Sequence, residues 1–170
     1  MGNLRTSAQI SQVSDGDVTL GVVNRKDLPE TPVNFRVTHV FVFNSDGAVL
    51  LQYIAKGQRS EGRWGSSVAG YVLAGEKYAE AARRKMGAEL GMHAVIPRLI
   101  LKTSMPDLGA TKFITLFEAH GEGPFTLDRE QVDRVRFVQP DILRAEVDTY
   151  PDRFTATFRH LWAAYFAQQG

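Results

Sequence analysis

Cysteine is absent from all 170 residues. That removes disulfides, thiolate metal ligands and cysteine nucleophiles in one step, and it fits a reducing cytoplasm, which is the expected location. Also missing is any run approaching the ~20 apolar residues that a membrane helix needs. The N-terminal stretch MGNLRTSAQISQVSDGD lacks the apolar core of a signal peptide. An excess of either charge is missing too: 20 basic residues meet 19 acidic ones for a net of +1, so electrostatics alone make no case for nucleic acid or an acidic membrane. The RRK triplet at Arg83–Lys85 is too short to change this and reads as a solvated helix face. Neither a G-x-x-x-x-G-K phosphate loop nor a G-x-S-x-G nucleophile turn occurs. What remains is an ordinary globular composition, 44% apolar and 23% charged, in a chain of one-domain length.

Residues 1–15 are polar and aperiodic and read as a flexible tail before a domain at 16–170. DVTLGVVN reads as a strand. FRVTHVFVFN alternates and is rich in β-branched and aromatic residues, NSDG is a turn, and AVLLQYI is the partner strand. SVAGYVLAG suits a strand running into a loop. A helix follows over Lys77–Leu90, with Gly91 placed to cap it in the left-handed conformation. PRLILKTSM and TKFITLFEA are two more strands joined by PDLG, VDRVRFV is another, and PDILRAEV is a short helix opened by Pro140. In DRFTATFRHLWAAYFAQQ, Phe154, Phe158, Leu161, Trp162 and Phe166 make one apolar helical stripe. The order of elements predicts a single α/β domain with helices packed on a mixed sheet.

The stretch GYVLAGEKYAEAARRKMGAELGM (Gly70–Met92) carries the chemistry. At 100° per residue, Ala79, Ala82, Met86 and Leu90 share the predicted core stripe, while Lys85, Ala88 and Glu89 gather on a neighbouring face. Three carboxylates there would cage a hard cation such as Mg2+. The stretch resembles the Nudix box, G-x5-E-x7-R-E-U-x-E-E-x-G-U, where U is a bulky aliphatic residue. Gly70, Glu76, Arg84, Met86, Glu89, Gly91 and Met92 match it. Lys85 and Ala88 stand where two box glutamates belong.

The resemblance implies a Nudix-type α/β/α sandwich with a mixed β-sheet. It implies a scaffold of Gly70, Glu76, Arg84 and Gly91, with Glu76 and Arg84 as an ion pair tying loop to helix. It further implies a Mg2+ cofactor held by box glutamates and by the Ala69 carbonyl, and a small phosphorylated ligand as partner. Of the metal-binding carboxylates only Glu89 remains. Lys85 is open to two readings, as a lysine paired with Glu89 on a solvent-exposed face, or as a tethered cation that holds a phosphate in the metal's place.

GRWGSSVAGYVLAGE is also similar to the isopentenyl-diphosphate isomerases of the same superfamily, through Trp64, Ser67, Val68, Gly70, Gly75 and Glu76. The catalytic cysteine of that branch is Ala69 here, its adjacent histidine is Tyr71, and its acidic pair falls at Ala110 and Lys112. Isomerase activity is therefore not expected. His39, His93, His120 and His160 are scattered over different elements and read as surface or core histidines. Glu118, Glu122, Glu130 and Asp133 are candidates for a downstream base, with nothing in their spacing to select one, so no catalytic residue is assigned. The expected function is binding of a phosphorylated or diphosphate-containing ligand with pyrophosphohydrolase activity weak or lost. The alternative is an atypical hydrolase of nucleoside diphosphate-linked compounds.

Overall fold

The computed structural model describes residues 8–169. Its strands in chain order are β1 (Gln9–Val13), β2 (Thr19–Asn24), β3 (Phe35–Phe43), β4 (Val49–Ile54), β5 (Trp64–Gly65), β6 (Val68–Tyr71), β7 (Arg98–Asp107), β8 (Ala110–His120) and β9 (Val132–Val138). The helices are α1 (Tyr78–Leu90), α2 (Pro140–Thr149) and α3 (Ala156–Gln169).

Alternation along β3 sets the layers. Successive strand side chains point to opposite faces. Phe41 and Phe43 accordingly join Leu116, Phe158, Leu161 and Trp162 in one core cluster beneath α3. Val40 and Val42 join Ala82, Met86 and Leu90 in a second cluster beneath α1. The result is an α/β/α sandwich with β3 at its centre, as the resemblance implies, with the helices packed on a mixed sheet as the element order predicts. One edge of β3 pairs in parallel with β8 from Phe35–Lys112 to Phe43–His120, and β7 continues the sheet as an antiparallel hairpin with β8.

The other edge of β3 differs from a simple hairpin. The Asn44–Gly47 turn forms, with the Asn44 side chain accepting from the Asp46 and Ala48 N–H groups. Yet β4 pairs with β3 only at Phe43–Val49 before turning away to β9 and β5. The vacated edge is taken by β6, antiparallel from Val37–Tyr71 to Val40–Val68. This insertion carries the start of the box into the middle of the sheet.

Part of the stretch read from the sequence as a flexible tail is regular structure. Gln9–Val13 is a strand, paired with β2, and Ile10 is fully buried. Its physical cause is contact with the box loop: Ile10 bridges Leu73, and the Ala74 N–H donates to the Gln9 carbonyl at 3.0 Å. A five-residue strand with two buried apolar positions is too short to announce itself by periodicity. The first part of the predicted tail, residues 1–7, lies outside the described residues.

The C-terminal helix also starts later than its apolar stripe. Phe154 is extended and bridges Trp64, and the Thr155 hydroxyl caps α3 by accepting from the Phe158 N–H at 3.0 Å. Among the described residues no helix is long and apolar enough to cross a membrane. Truncating Ile10 tests the role of β1. Ile10→Ala should cost about 2–5 kcal/mol in urea unfolding; a variant as stable as the parent would show that β1 does not support the box loop.

Candidate functional site

Two left-handed glycines and one ion pair shape the box. Gly75 (φ +79°) turns the loop into α1, and Gly91 (φ +74°) ends the helix by donating to the Gly87 carbonyl at 3.0 Å. The Glu80 side chain accepts from the Lys77 N–H at 3.1 Å and closes the helix start. Arg84 then reaches back along the helix to Glu76 through Nε–Oε2 (2.7 Å) and Nη2–Oε1 (3.1 Å). The same Nη2 donates to the Tyr71 carbonyl at 2.9 Å, and Glu76 Oε1 accepts from the Leu73 N–H at 3.0 Å. One bidentate pair thus joins β6, the loop and the helix.

Beside it, α1 lies against β6 so closely that Gly70 has no room for a side chain. A Cβ placed there would sit 2.5–2.8 Å from the Lys85 side-chain carbons. The Lys85 stem fills that space, and its Nζ stands 3.9 Å from Glu89 Oε1. Their side chains are only 15% and 2% exposed, so this pair is not on a solvent-exposed face, in contrast to one of the two sequence readings. Glu89 Oε1 also accepts from the Ala69 N–H at 3.2 Å. The buried side of α1 comprises Ala81, Ala82, Met86, Glu89 and Leu90, with Ala79 exposed. The predicted stripe is therefore rotated by part of a turn, because α1 packs on β6 as well as β3. Ala88 faces solvent.

The donors of this face differ from the oxygen set that Mg2+ prefers. Magnesium wants near-octahedral oxygen ligation, with carboxylates that lack competing cations. Here the helix face offers a single carboxylate, already engaged by an N–H and an ammonium. Among the described residues no group of three or more His, Asp or Glu side chains is arranged to hold a metal ion. Of the downstream acids, Glu118 pairs with Arg98, Glu122 accepts from the Ser45 N–H at 2.5 Å, and Asp133 pairs with Arg134. The loop after β8 docks on the end of α1 instead: the Thr126 N–H donates to the Leu90 carbonyl and the Asp128 N–H to the Glu89 carbonyl, at 3.1 and 3.2 Å. Sequence spacing gave no sign of Asp128 at this position.

On the other face of the sheet the former isomerase-like positions form a polar group. Tyr71 has the Arg25 guanidinium 4.4 Å above its ring. Lys112 Nζ binds Asp107 (2.8 Å) and Thr157 (2.7 Å), and Arg59 closes on the same Asp107. Burial lowers the Lys112 pKa, against the pull of Asp107. His39, opposite Ala69 in the β3–β6 register, shares a 2.8 Å hydrogen bond with the Ser66 hydroxyl through Nδ1. Burial pushes its pKa down to about 3, with the Lys112 charge adding to the effect. The other histidines do not converge with it: His160 meets Thr103, and His120 packs on Phe43. Tyr53 and Trp64 form an edge-to-face pair, with Arg134 of β9 4.0 Å over Tyr53.

Comparison with known proteins decides the family. The NUDIX domain pattern matches residues 33–158, well over half of the chain. The chain belongs to the Nudix family. The match spans β3 to the first three residues of α3 and includes the whole box. A Pseudomonas aeruginosa relative, the uncharacterized Nudix hydrolase PA4841, is 29% identical over 143 residues, covering 84% of this chain and 85% of its own. The isopentenyl-diphosphate Delta-isomerase 2 of Photorhabdus laumondii is 25% identical over 162 residues, covering 88% and 87%. The crystal structure of DR0079 from Deinococcus radiodurans superposes with a TM-score of 0.80 at 20% identity, covering 93% of this chain and 99% of that one. That last likeness establishes the shared fold.

Two outcomes test this geometry. Gly70→Ala should destabilise the protein by about 1–3 kcal/mol, and most of that loss should vanish in a Lys85→Ala background, as a double-mutant cycle by urea unfolding will read. His39 gives a pH signature. Its folded pKa lies below the unfolded value of ~6.5, so its contribution is complete above that pH and is lost as pH falls toward 3. Between pH 6 and 4 the parent should lose up to about 1.4 kcal/mol per pH unit more than His39→Gln; parallel curves would contradict a neutral buried imidazole.

Proposed function

We propose that this Nudix domain binds a small phosphorylated or diphosphate-containing ligand, with magnesium-dependent pyrophosphohydrolase activity weak or lost. The observation that carries this reading is the Lys85 side chain lodged on Gly70, with its ammonium 3.9 Å from the buried Glu89. Nudix hydrolases use a divalent metal such as Mg2+ and act on small phosphorylated substrates. A cation neutralises the phosphate charge and activates water in such chemistry. Here a fixed ammonium occupies the face, and it repels a divalent ion while attracting an oxyanion. Lys85 is then the phosphate-directed group of the box face. The scaffold of Gly70, Glu76, Arg84 and Gly91 keeps it in place.

Isomerisation is not part of the proposal. The name of the Photorhabdus relative describes that protein, and Ala69 and Tyr71 here carry neither a thiol nor an imidazole.

A second reading, an atypical hydrolase of nucleoside diphosphate-linked compounds, draws on the docking of Asp128 onto the Glu89 turn. It would combine Glu89, the Ala69 carbonyl and this downstream acid around one weakly held ion. Glu89→Gln separates the two: loss of a measured turnover supports the hydrolase, and unchanged turnover removes Glu89 from it.

The test of the preferred reading has two arms. Phosphate release from a panel of nucleoside diphosphate derivatives should not rise above the enzyme-free rate when Mg2+ is added. A phosphorylated compound should raise the melting temperature with chelator present, by about 2–4 °C for each kcal/mol of binding. In Lys85→Glu/Ala88→Glu, Mg2+ alone should become stabilising. Robust magnesium-dependent turnover by the parent chain would overturn the proposal.

A further inference from the structure

The outer layer opposite α1 contains a cavity that the box does not use. It lies between α2 and α3, has a volume of about 580 Å³, and is lined by Arg144, Val147, Arg159, Trp162 and Phe166 among others. Its size falls within the range of small-molecule sites, ~300–1,000 Å³. Its apolar wall is aromatic: Trp162 is 3% exposed, meets the Phe166 ring edge-on at 4.7 Å, and stacks on Phe158.

The cations of this groove are what single it out. Among the described residues the Arg159 side chain donates to no protein acceptor and joins no ion pair, and its Nε is sealed from solvent without a partner. Trp162 Nε1 is in the same condition. Arg144 lies 4.9 Å over the Phe166 ring, again with no carboxylate partner among the described residues. Asp148 lines the cavity too, but forms no ion pair with either arginine. A half-buried guanidinium with no acceptor is unfavourable, since burial strips its water and returns no hydrogen bond. Elsewhere in this chain the partly buried arginines Arg36 and Arg136 have carboxylates, Asp17 and Glu146. The groove therefore presents two unneutralised guanidiniums beside an aromatic wall, which is the chemistry for an oxyanion carried on an apolar body.

We propose that the α2–α3 groove binds a small organic anion, a carboxylate or phosphate monoester with an aromatic or branched apolar body. The headgroup lies between Arg144 and Arg159, and the body lies against Trp162, Phe166 and Val147. The site is on the other face of the sheet from the box helix and is independent of the function proposed for that helix.

The protein has two tryptophans, so its indole N–H region contains two resonances, and Trp64→Phe assigns them. Titration of the full chain with phenyl phosphate and, separately, benzoate should shift the Trp162 signal saturably below about 10 mM, tenfold above a millimolar Kd. The arm that binds more tightly identifies the headgroup. Arg159→Met and Arg144→Met, each checked for a native near-ultraviolet spectrum, should weaken that binding about tenfold, the worth of a charge-assisted hydrogen bond. Neutral benzyl alcohol should bind at least about tenfold more weakly than the better anion. The proposal is overturned by no shift with either anion, by unchanged affinity in both variants, or by benzyl alcohol binding as well as the anions. It is also overturned if the signal moves with protein concentration alone, which would mean that a second copy fills the groove.

Discussion

The absence of a side chain at residue 70 is the constraint on which the box face depends. It lets α1 approach β6 closely enough for the Lys85 stem to lie on bare backbone. That approach carries Glu89 into the interior, where its carboxylate takes the Ala69 N–H and faces the Lys85 ammonium. A buried carboxylate needs such partners, because losing its hydration without replacement is far more costly than the pair is worth. Relative to the family pattern, an ammonium and a methyl in place of two carboxylates move the local charge by about three units. Lys85 and Glu89 together leave the face with no net charge.

Structure and chemistry are divided among different residues of the same motif. Arg84 is 37% exposed, so its pairing with Glu76 contributes of order 0–1 kcal/mol. Its importance is geometric: the pair fixes the Tyr71 carbonyl and the Leu73 N–H relative to α1. From the other side, β1 holds the same loop through Gln9 and Ala74. Ala88 faces solvent.

The sheet separates two environments. Beneath α1 lie Val40, Val42, Met86 and Leu90, an apolar floor for the box. Beneath α2 and α3 lie the aromatic residues of β3 and α3, and Arg144 and Arg159, without carboxylate partners among the described residues, line the groove at the outer edge of that layer. Because β3 supplies both floors by strict alternation, a one-residue slip of its pairing would exchange them. The nine-residue parallel register with β8 opposes such a slip.

Much of this was legible in the sequence. The strands from Phe35 onward other than β5, α1 with its Gly91 cap, and the family all followed from local patterns: period two, period 3.6, turn residues and the spacing of the box. Each depends on neighbours in the chain, and so each can be read from the chain. The strand at Gln9–Val13 was hidden because its stabilising contacts, Leu73 and Ala74, come from more than sixty positions away. The same reason hid the insertion of β6 beside β3, the rotation of the buried stripe of α1 toward Ala81, and the docking of Asp128 on Glu89. Sequence alone determined which charges the box face carries. Only the tertiary structure decided that Lys85 and Glu89 are buried together and that Arg159 meets no acceptor among the described residues, because burial and pairing are set by what packs across the sheet and between helices.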